Sequence, residues 1–402
     1  MNILFLTLLN CEDVEEKGIY TDLFRKFNKE NHNVYVISPR EKRSNLPTEF
    51  NIQRGINILK VSVGNITKTN LIEKGLSTLT LEQKYLFAIQ KYFPSIKFDL
   101  VIYSTPPITF TKIVDYLKKK YDTRSYLLLK DIFPQNAVDL EMFSKKNPLY
   151  SFYRKKELNL YKISDVIGCM SPANVNYVRD HNPHLKNKLI EVCPNSIEIA
   201  QLDIPVEEKL SIRKKYDIPE NKVVFLYGGN LGRPQGIDFL IECINKNKNS
   251  EEVFFVVVGS GTEYSKIEKF SLENDLSNFK LINQLSKDDY EKLSNSADVG
   301  LIFLDKRFTI PNFPSRLLSY MNASIPILAA TDINTDVGKI AEEFKFGYWC
   351  QSGDYIEFEK KMKLLLNPDA RVKMGLNGRR FLEENYSVDQ TYHIIMKHFM
   401  EA

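Results

Sequence analysis

The strongest constraint on the fold is an alternation of short apolar segments with helical patterns along most of the 402 residues. Segments such as Val34–Ser38, Val166–Cys169 and Val253–Val258 are almost continuously apolar and do not alternate with polar residues. Such segments are typical of strands that helices cover on both faces of a sheet. The order of strand and helix therefore predicts an α/β protein with parallel, doubly wound sheets.

One interruption divides this pattern into two series. The first series of strands ends at Cys193, and a second series begins at Val223 after a polar stretch and a charged helix. A chain of this length usually forms two or three domains. We therefore predict one βαβ domain at residues 1–200 and another at 201–387, with a hinge near 196–206.

Composition and charge exclude several classes of protein. The chain has 55 lysine and arginine residues against 51 aspartate and glutamate residues, and a net charge of +4 is too small for a protein that coats nucleic acid. No apolar run reaches the roughly 18 residues that a membrane-spanning helix requires. The five cysteines form no CxxC pair, and the apolar start lacks the features of a signal peptide. We therefore expect a reducing, cytoplasmic compartment, with neither disulfides nor a metal site.

A glycine-rich segment, YGGNLGRPQG at residues 227–236, follows a predicted strand and precedes a helical pattern. Its glycines let a ligand approach the backbone closely, and the following helix offers unpaired N–H groups to an anion. Arg233 adds a guanidinium whose geometry suits phosphate. The segment is neither a Walker motif nor a G-x-G-x-x-G motif. We interpret it as a phosphate site, and the alternative is an ordinary glycine-rich turn.

A second helix start lies in the segment PSRLLSYM at residues 314–321. Pro314 suits the first turn of a helix, and Ser315 and Arg316 then lie at the end that favours an anion. Together with Arg233, Arg316 could hold a diphosphate without a metal ion. The alternative is a surface helix with an ordinary exposed arginine.

Three weaker signals also follow predicted strands. Asp131 stands where ligands bind in open α/β sheets, as a polar contact or a base, although it could equally cap the next segment. Gly259 and Gly261 could let a base or ribose approach, and Gly18 could do the same in the first domain. Ordinary turns explain these glycines equally well.

The segment at residues 145–162 is basic and rich in aromatic and aliphatic residues. It contains Arg154, Lys155 and Lys156 among six basic residues, against one acidic residue. A basic, aromatic helix on the surface is what contact with an anionic membrane needs. The alternative is a solvated helix whose apolar side lies in the core.

The GNLGRPQG segment at 229–236 and the PSRLLSYM segment at 314–321 resemble glycosyltransferase family 4, over nearly the whole chain. The resemblance implies the GT-B fold, with two doubly wound Rossmann-like domains whose parallel sheets face a cleft. The segments DIFPQ at 131–135 and MSP at 170–172 resemble the bacterial capsule and O-antigen branch. Within that branch, the chain is most similar to the N-acetyl-L-fucosaminyltransferases.

This resemblance implies a retaining, metal-independent transfer of a sugar, without a cofactor. The donor would be a UDP-sugar, with N-acetyl-L-fucosamine as the sugar, bound by the domain at 201–387. The acceptor would be a polyprenyl-diphosphate-linked saccharide, bound by the domain at 1–200, onto which a last helix at 388–402 packs back. The protein would be cytoplasmic and peripheral on the inner face of the plasma membrane, where Arg154, Lys155 and Lys156 contact the membrane or acceptor.

The resemblance also assigns roles to individual residues. Arg233 and Arg316 would grip the diphosphate, and together with Asp131 they form the predicted catalytic set. The predicted donor-binding residues are Gly18, Asn230, Gln235, Gly259, Gly261, Pro314, Ser315, Leu317 and Ser319. The chain departs from the family at Pro311 and Ser319, where many members carry an acidic pair whose second residue holds the ribose.

Two other functions are compatible with the same residues. A nucleotide-sugar 2-epimerase shares the two-domain architecture, but it requires acid and base groups, and no histidine is convincing for that role. A non-catalytic subunit that binds sugar nucleotides would explain the missing acidic pair. It would bind a sugar nucleotide without transferring the sugar.

Overall fold

The structure is a computed structural model that describes residues 1–66, 71–200, 204–274 and 276–399, without the side chains of residues 71–76. The chain divides into two compact units, one of residues Met1–Glu198 and Val388–Ala402 and the other of residues Ile199–Ser387. Part of the predicted hinge, at 201–203, and the end of the predicted last helix, at 400–402, lie outside the described residues.

The first unit is built on an eight-stranded sheet with the order β3-β4-β2-β1-β5-β6-β7-β8. Its strands are β1 (Asn2–Leu6), β2 (Asn33–Glu41), β3 (Glu49–Gln53), β4 (Ile56–Val63), β5 (Leu100–Ser104), β6 (Arg124–Leu129), β7 (Val166–Cys169) and β8 (Leu189–Val192). Its helices before the second unit are α1 (Thr21–Lys29), α2 (Leu71–Tyr92), α3 (Thr111–Tyr121), α4 (Gln135–Asp139), α5 (Pro148–Ile163) and α6 (Pro172–His181).

Both faces of this sheet are buried, as continuous apolar strands predict. In β1, Ile3 and Phe5 belong to one buried cluster, whereas Leu4 and Leu6 belong to another. Successive side chains of a strand point to opposite faces, so each face of β1 has its own core. In open α/β sheets of this kind, ligands bind beyond the carboxyl ends of the strands.

The edge strand β3 departs from the prediction of purely parallel sheets, because it pairs antiparallel with β4. The two strands are joined by Arg54 and Gly55, both with positive φ, which a tight hairpin turn requires. Ile52 in β3 is 63% exposed, so this strand has no continuous apolar pattern. The sequence pattern of buried strands therefore could not identify it.

The second unit carries a six-stranded, wholly parallel sheet with the order β11-β10-β9-β12-β13-β14. Its strands are β9 (Val223–Asn230), β10 (Val253–Ser260), β11 (Phe279–Ile282), β12 (Val299–Phe303), β13 (Ile327–Thr331) and β14 (Gly347–Gln351). Its helices are α7 (Val206–Lys215), α8 (Ile237–Lys246), α9 (Tyr264–Glu273), α10 (Lys287–Ser296), α11 (Arg316–Asn322), α12 (Val337–Glu343), α13 (Tyr355–Leu364) and α14 (Pro368–Asn385).

A last helix, α15 (Val388–Met396), belongs to the first unit and packs against α1. The Tyr392 ring lies 5.0 Å from the Phe27 ring, and Lys26 forms an ion pair with Asp389. At the start of this helix, the Val388 N–H donates a hydrogen bond to the Ile197 carbonyl at 3.2 Å. The C-terminal segment thus completes the core of the first unit.

Candidate functional site

The glycine loop of the second unit, residues 228–236, is held by two side-chain amides. Asn230 Nδ2 donates to Gln235 Oε1 at 2.9 Å, and the Gly232 N–H donates to the same oxygen at 3.1 Å. The intervening turn carries Arg233, which is exposed. Asn230 and Gln235 therefore maintain the shape of the loop, and Arg233 presents its positive charge to solvent.

The guanidinium of Arg316 packs against the strand that leads into this loop. Its central carbon lies 4.2 Å from the centroid of the Tyr227 ring. Among the described residues, Nη1 of Arg316 is buried without a hydrogen-bond partner, and no carboxylate forms an ion pair with this side chain. A buried charge without a partner is costly, so an anionic ligand that completes the site would be favoured.

Three tyrosines surround this guanidinium, and none of them neutralises it. Burial raises the pKa of Tyr227 and Tyr290, and it raises the pKa of Tyr320 well above its ordinary value. All three phenols are therefore uncharged at pH 7. The Tyr290 ring occupies the space that a side chain at Gly228 would need, because a Cβ there would lie 2.1 Å from its hydroxyl oxygen.

At the start of α11, the predicted donor-binding residue Leu317 takes part in contacts within the fold. The Leu317 N–H donates to the Pro314 carbonyl at 3.2 Å, and the Leu317 side chain is fully buried. The Leu317 N–H and side chain are thus both engaged within the fold, and its predicted role in donor binding stays a prediction. Ser315 is exposed and Ser319 is half-buried at the start of this helix.

Gly259 and Gly261 are explained by packing against the glycine loop. A Cβ at Gly259 would lie 1.9 Å from the Gly229 carbonyl oxygen, and one at Gly261 would lie 2.3 Å from the Leu231 carbonyl oxygen. The backbones of the two loops therefore approach each other more closely than any side chain would allow. This contact favours the ordinary-turn interpretation of both glycines over contact with a ligand.

In the first unit, Asp131 follows β6 at the carboxyl end of the sheet. Its two carboxylate oxygens accept hydrogen bonds from Asn136 Nδ2 at 2.8 and 2.9 Å, which joins it to the start of α4. Burial raises the pKa of Asp131 to about 6, against smaller opposing effects of hydrogen bonds from Ile132 and Asn136. Both sequence interpretations thus have a physical basis, because the group contacts the next helix and also titrates near neutral pH.

Gly18 lies just before α1 and is hydrogen-bonded to Asp22 in the first turn of that helix. The Gly18 N–H donates to Asp22 Oδ1 at 2.8 Å, and the Glu198 N–H donates to Asp22 Oδ2 at 2.9 Å. Asp22 is 2% exposed and also accepts from Arg25 at 2.7 Å. Asp22 was not predicted as a site residue, because its only signal in the sequence is a carboxylate in the first turn of a helix.

The three predicted membrane residues of the basic helix α5 differ in their contacts. Arg154 forms an ion pair with the buried Glu157 and donates to the Asn182 side-chain oxygen at 2.6 Å. The guanidinium is thus engaged within the unit, and its predicted role at the membrane stays a prediction. Lys155 is exposed, and Lys156 lies over the Phe152 ring at 5.8 Å from its centroid.

Metal ligands and membrane-spanning helices are both missing from the described residues. No three histidine, cysteine, aspartate or glutamate side chains there are grouped as metal ligands would be. Within the same residues, no helix combines the length and the apolar character that crossing a bilayer requires. The expectation of a reaction without a metal ion stays a prediction.

The second unit matches a known family. Residues 208–381 match the family Glycosyl transferases group 1, and this range contains both the glycine loop and Arg316. The Probable glycosyltransferase WbjE of Pseudomonas aeruginosa is 25% identical over 331 residues, which cover 80% of this chain and 78% of WbjE. The similarity to WbjE thus extends well beyond the second unit.

Solved structures share the fold along the chain. Anabaena HepE in complex with UDP-glucose is 14% identical with a TM-score of 0.71, and the match covers 99% of both chains. WaaG, a glycosyltransferase involved in lipopolysaccharide biosynthesis, is 13% identical with a TM-score of 0.69, over 99% of this chain and 100% of WaaG. The GT-B fold predicted from the sequence is confirmed. Within a chain of this fold, residues 208–381 are thus similar to the group 1 glycosyl transferases.

Proposed function

We propose that this protein is a retaining glycosyltransferase that moves a sugar from a UDP-sugar to a polyprenyl-diphosphate-linked saccharide. The observation that carries the donor half of this proposal is the half-buried Arg316, whose buried Nη1 has no hydrogen-bond partner and which has no carboxylate partner among the described residues. A diphosphate would supply both the missing acceptor and the missing negative charge. Arg233, exposed in the glycine loop, is proposed as the second guanidinium.

The proposed reaction follows from where charge develops. The bond between the anomeric carbon and the diphosphate oxygen breaks, and the acceptor oxygen forms a new bond to the same carbon on the leaving-group face. Negative charge grows on the departing diphosphate, so cations fixed in advance stabilise the transition state more than the bound donor. The proton of the acceptor hydroxyl passes to the departing phosphate, which balances the charge.

We propose that Asp131 orients the acceptor hydroxyl in the first unit. Its place at the carboxyl end of β6 and its hydrogen bonds from Asn136 support this role, because they fix the carboxylate where ligands of parallel sheets bind. Its raised pKa would also allow it to exchange a proton near neutral pH. Full activity of an Asp131→Asn variant would remove it from the site.

The identities of donor and acceptor rest on the relatives and on the resemblance. HepE was solved with UDP-glucose and with UDP, which supports UDP as the carrier. WaaG is involved in lipopolysaccharide biosynthesis, which supports an acceptor of a surface polysaccharide such as capsule or O-antigen. N-acetyl-L-fucosamine as the transferred sugar rests on the sequence resemblance alone.

A lipid-linked acceptor requires access to a membrane, and α5 with the segment before it offers a surface for this. Met142, Leu149 and Phe152 are 56%, 52% and 42% exposed, and Lys155 is exposed beside them. Apolar residues flanked by lysine suit shallow insertion into an anionic bilayer. We therefore propose a cytoplasmic protein that is peripheral on the inner face of the plasma membrane.

A non-catalytic subunit that binds sugar nucleotides is the second candidate function. Pro311 and Ser319 occupy the positions where the family carries its acidic pair, and this difference favours weak binding of ribose or no transfer at all. A nucleotide-sugar 2-epimerase has no comparable observation in its favour. Such an enzyme would convert the sugar nucleotide without any acceptor, which distinguishes it in the same assay.

The test is release of nucleoside diphosphate from a panel of nucleotide sugars, with and without membrane lipid acceptors. Arg233→Ala and Arg316→Ala should each lower turnover at least about a hundredfold, since each removes a donor aimed at the developing charge. Arg380→Ala, at an exposed arginine of the same unit, is the matched control. Near-wild-type turnover in both test variants would reject the site, and binding without release would select the non-catalytic subunit.

A further inference from the structure

Tyr227 connects the two parts of the proposed donor site. It is fully buried, and its ring lies under the Arg316 guanidinium, with 4.2 Å between the guanidinium carbon and the ring centroid. Its hydroxyl donates to the Asn230 carbonyl at 3.0 Å. A single side chain thus touches both the helix that carries Arg316 and the loop that carries Arg233.

We propose that Tyr227 is a positioning residue that aims Arg316 at the diphosphate of a nucleoside diphosphate and holds the glycine loop in register with it. This inference rests on the proposed function, because it assumes that Arg316 binds the donor. No role was predicted for Tyr227 from the sequence. Tyr227 itself does not touch the ligand and acts through Arg316 and Asn230.

The need for such a residue follows from the missing acidic partner. Arginine side chains in proteins are commonly oriented by carboxylates, which accept two parallel hydrogen bonds from the guanidinium. Among the described residues Arg316 has no such partner, so the aromatic ring is the contact that limits its rotation. Stacking on a ring restricts the plane of the guanidinium while leaving its N–H groups available at the edge.

The neutrality of the ring is also important. Burial raises the pKa of Tyr227, so the phenol stays uncharged at pH 7. A carboxylate in the same place would orient Arg316 but would also cancel the charge that the diphosphate needs. An aromatic partner therefore orients the cation and preserves its full attraction for an anion.

The other two tyrosines are occupied elsewhere. The Tyr320 hydroxyl lies 3.0 Å from the Leu226 carbonyl and 3.2 Å from the Leu301 carbonyl, so it joins β9 to β12. Tyr290 packs against Gly228. Of the three, Tyr227 is the ring over which the guanidinium lies, which makes it the residue to test.

The experiment measures binding of UDP and of inorganic pyrophosphate to the full chain by calorimetry, in a double-mutant cycle. Tyr227→Leu, which removes the ring, should weaken both ligands at least about tenfold, and Tyr227→Phe, which keeps it, should weaken them less than about threefold. In an Arg316→Ala background, Tyr227→Leu should have almost no further effect, because the residue acts through Arg316. Thermal melts of each variant show whether it is folded, and Tyr227→Trp serves as the second ring-retaining variant.

The outcomes separate this inference from the proposed function. Equal weakening by Tyr227→Leu in both backgrounds, or unchanged binding in the folded variant, would overturn the positioning role while leaving the donor site intact. Binding of pyrophosphate but not UDP by the wild type would contradict the nucleotide donor and still allow the cycle to test Tyr227. Wild-type protein that binds neither probe would overturn both.

Discussion

Both carboxylate oxygens of Asp131 accept hydrogen bonds from the Asn136 side-chain amide, at 2.8 and 2.9 Å from Nδ2. The oxygen of the Asn136 amide is buried and has no hydrogen-bond partner among the described residues. Among the described residues, no cation is among the groups that shift the pKa of Asp131. Burial is accordingly the main reason why the pKa of Asp131 is raised to about 6.

This pKa predicts a specific dependence of stability on pH. The folded state binds the proton of Asp131 more tightly than the unfolded state, so its contribution to the free energy of unfolding is fully present below about pH 4 and is lost as the pH rises to about 6. Asp131→Asn cannot ionise and should not show this loss. Relative to wild type, the variant should gain at most about 3 kcal/mol between pH 4 and pH 7, since one pKa unit corresponds to about 1.4 kcal/mol.

Urea unfolding of both proteins at several pH values checks this prediction. The difference between the two free energies cancels the titration of all other groups, provided that they are unaffected by the substitution. A difference that stays constant from pH 4 to pH 7 would contradict the raised pKa. Activity measured on the same samples shows whether the carboxylate also takes part in transfer.

Lys155 and Lys156 are predicted to bind anionic membranes. The double variant Lys155→Glu and Lys156→Glu should reduce binding to vesicles that contain anionic lipid by at least about tenfold, because each reversal replaces an attraction of about 1 kcal/mol by a repulsion. Binding to neutral vesicles should change little. The measurement is co-sedimentation at two salt concentrations, and unchanged binding would leave this surface as solvated protein.

Arg154 should behave in the opposite way. Arg154→Gln leaves the Glu157 carboxylate buried with the Tyr161 hydroxyl, at 2.7 Å, and without its ion pair. Removing one partner of a buried pair usually costs roughly 3 kcal/mol. We therefore expect Arg154→Gln to lower the free energy of unfolding in urea and to preserve vesicle binding. Loss of vesicle binding in a stable variant would show instead that Arg154 contacts the membrane.

The strands could be predicted where burial on both faces makes their pattern continuous. Val166–Cys169 is found at the predicted residues, and Val34–Ser38 and Val253–Val258 lie within β2 and β10. Strand β10 continues two residues beyond the apolar segment, because Gly259 and Ser260 pair with Gly229 and Asn230 of β9. Boundaries thus depend on hydrogen bonds between strands that an apolar pattern does not contain.

The candidate site could be predicted only where its chemistry is local. Arg316 and Asn230 stand in motifs whose residue types suit a phosphate, so the sequence indicates them. The partner of Arg316, Tyr227, depends on contact between β9 and α11, and no spacing within either segment contains that contact. Asp22 could not be predicted either, because its partner Glu198 is distant in the sequence and follows the last strand of the unit.

Gly259→Ala distinguishes packing from ligand contact at the second glycine-rich turn. The added Cβ would lie 1.9 Å from the Gly229 carbonyl oxygen, so the backbone of one loop has to move. Overpacking of this kind usually lowers the free energy of unfolding by roughly 1–3 kcal/mol. Ser260→Ala, which removes an exposed bond to Gln284, is the neighbouring control and should change stability by less than about 1 kcal/mol. Urea unfolding and calorimetric binding of UDP are measured on the same samples. Unchanged stability of Gly259→Ala with loss of UDP binding would show instead that the glycine makes room for the ligand.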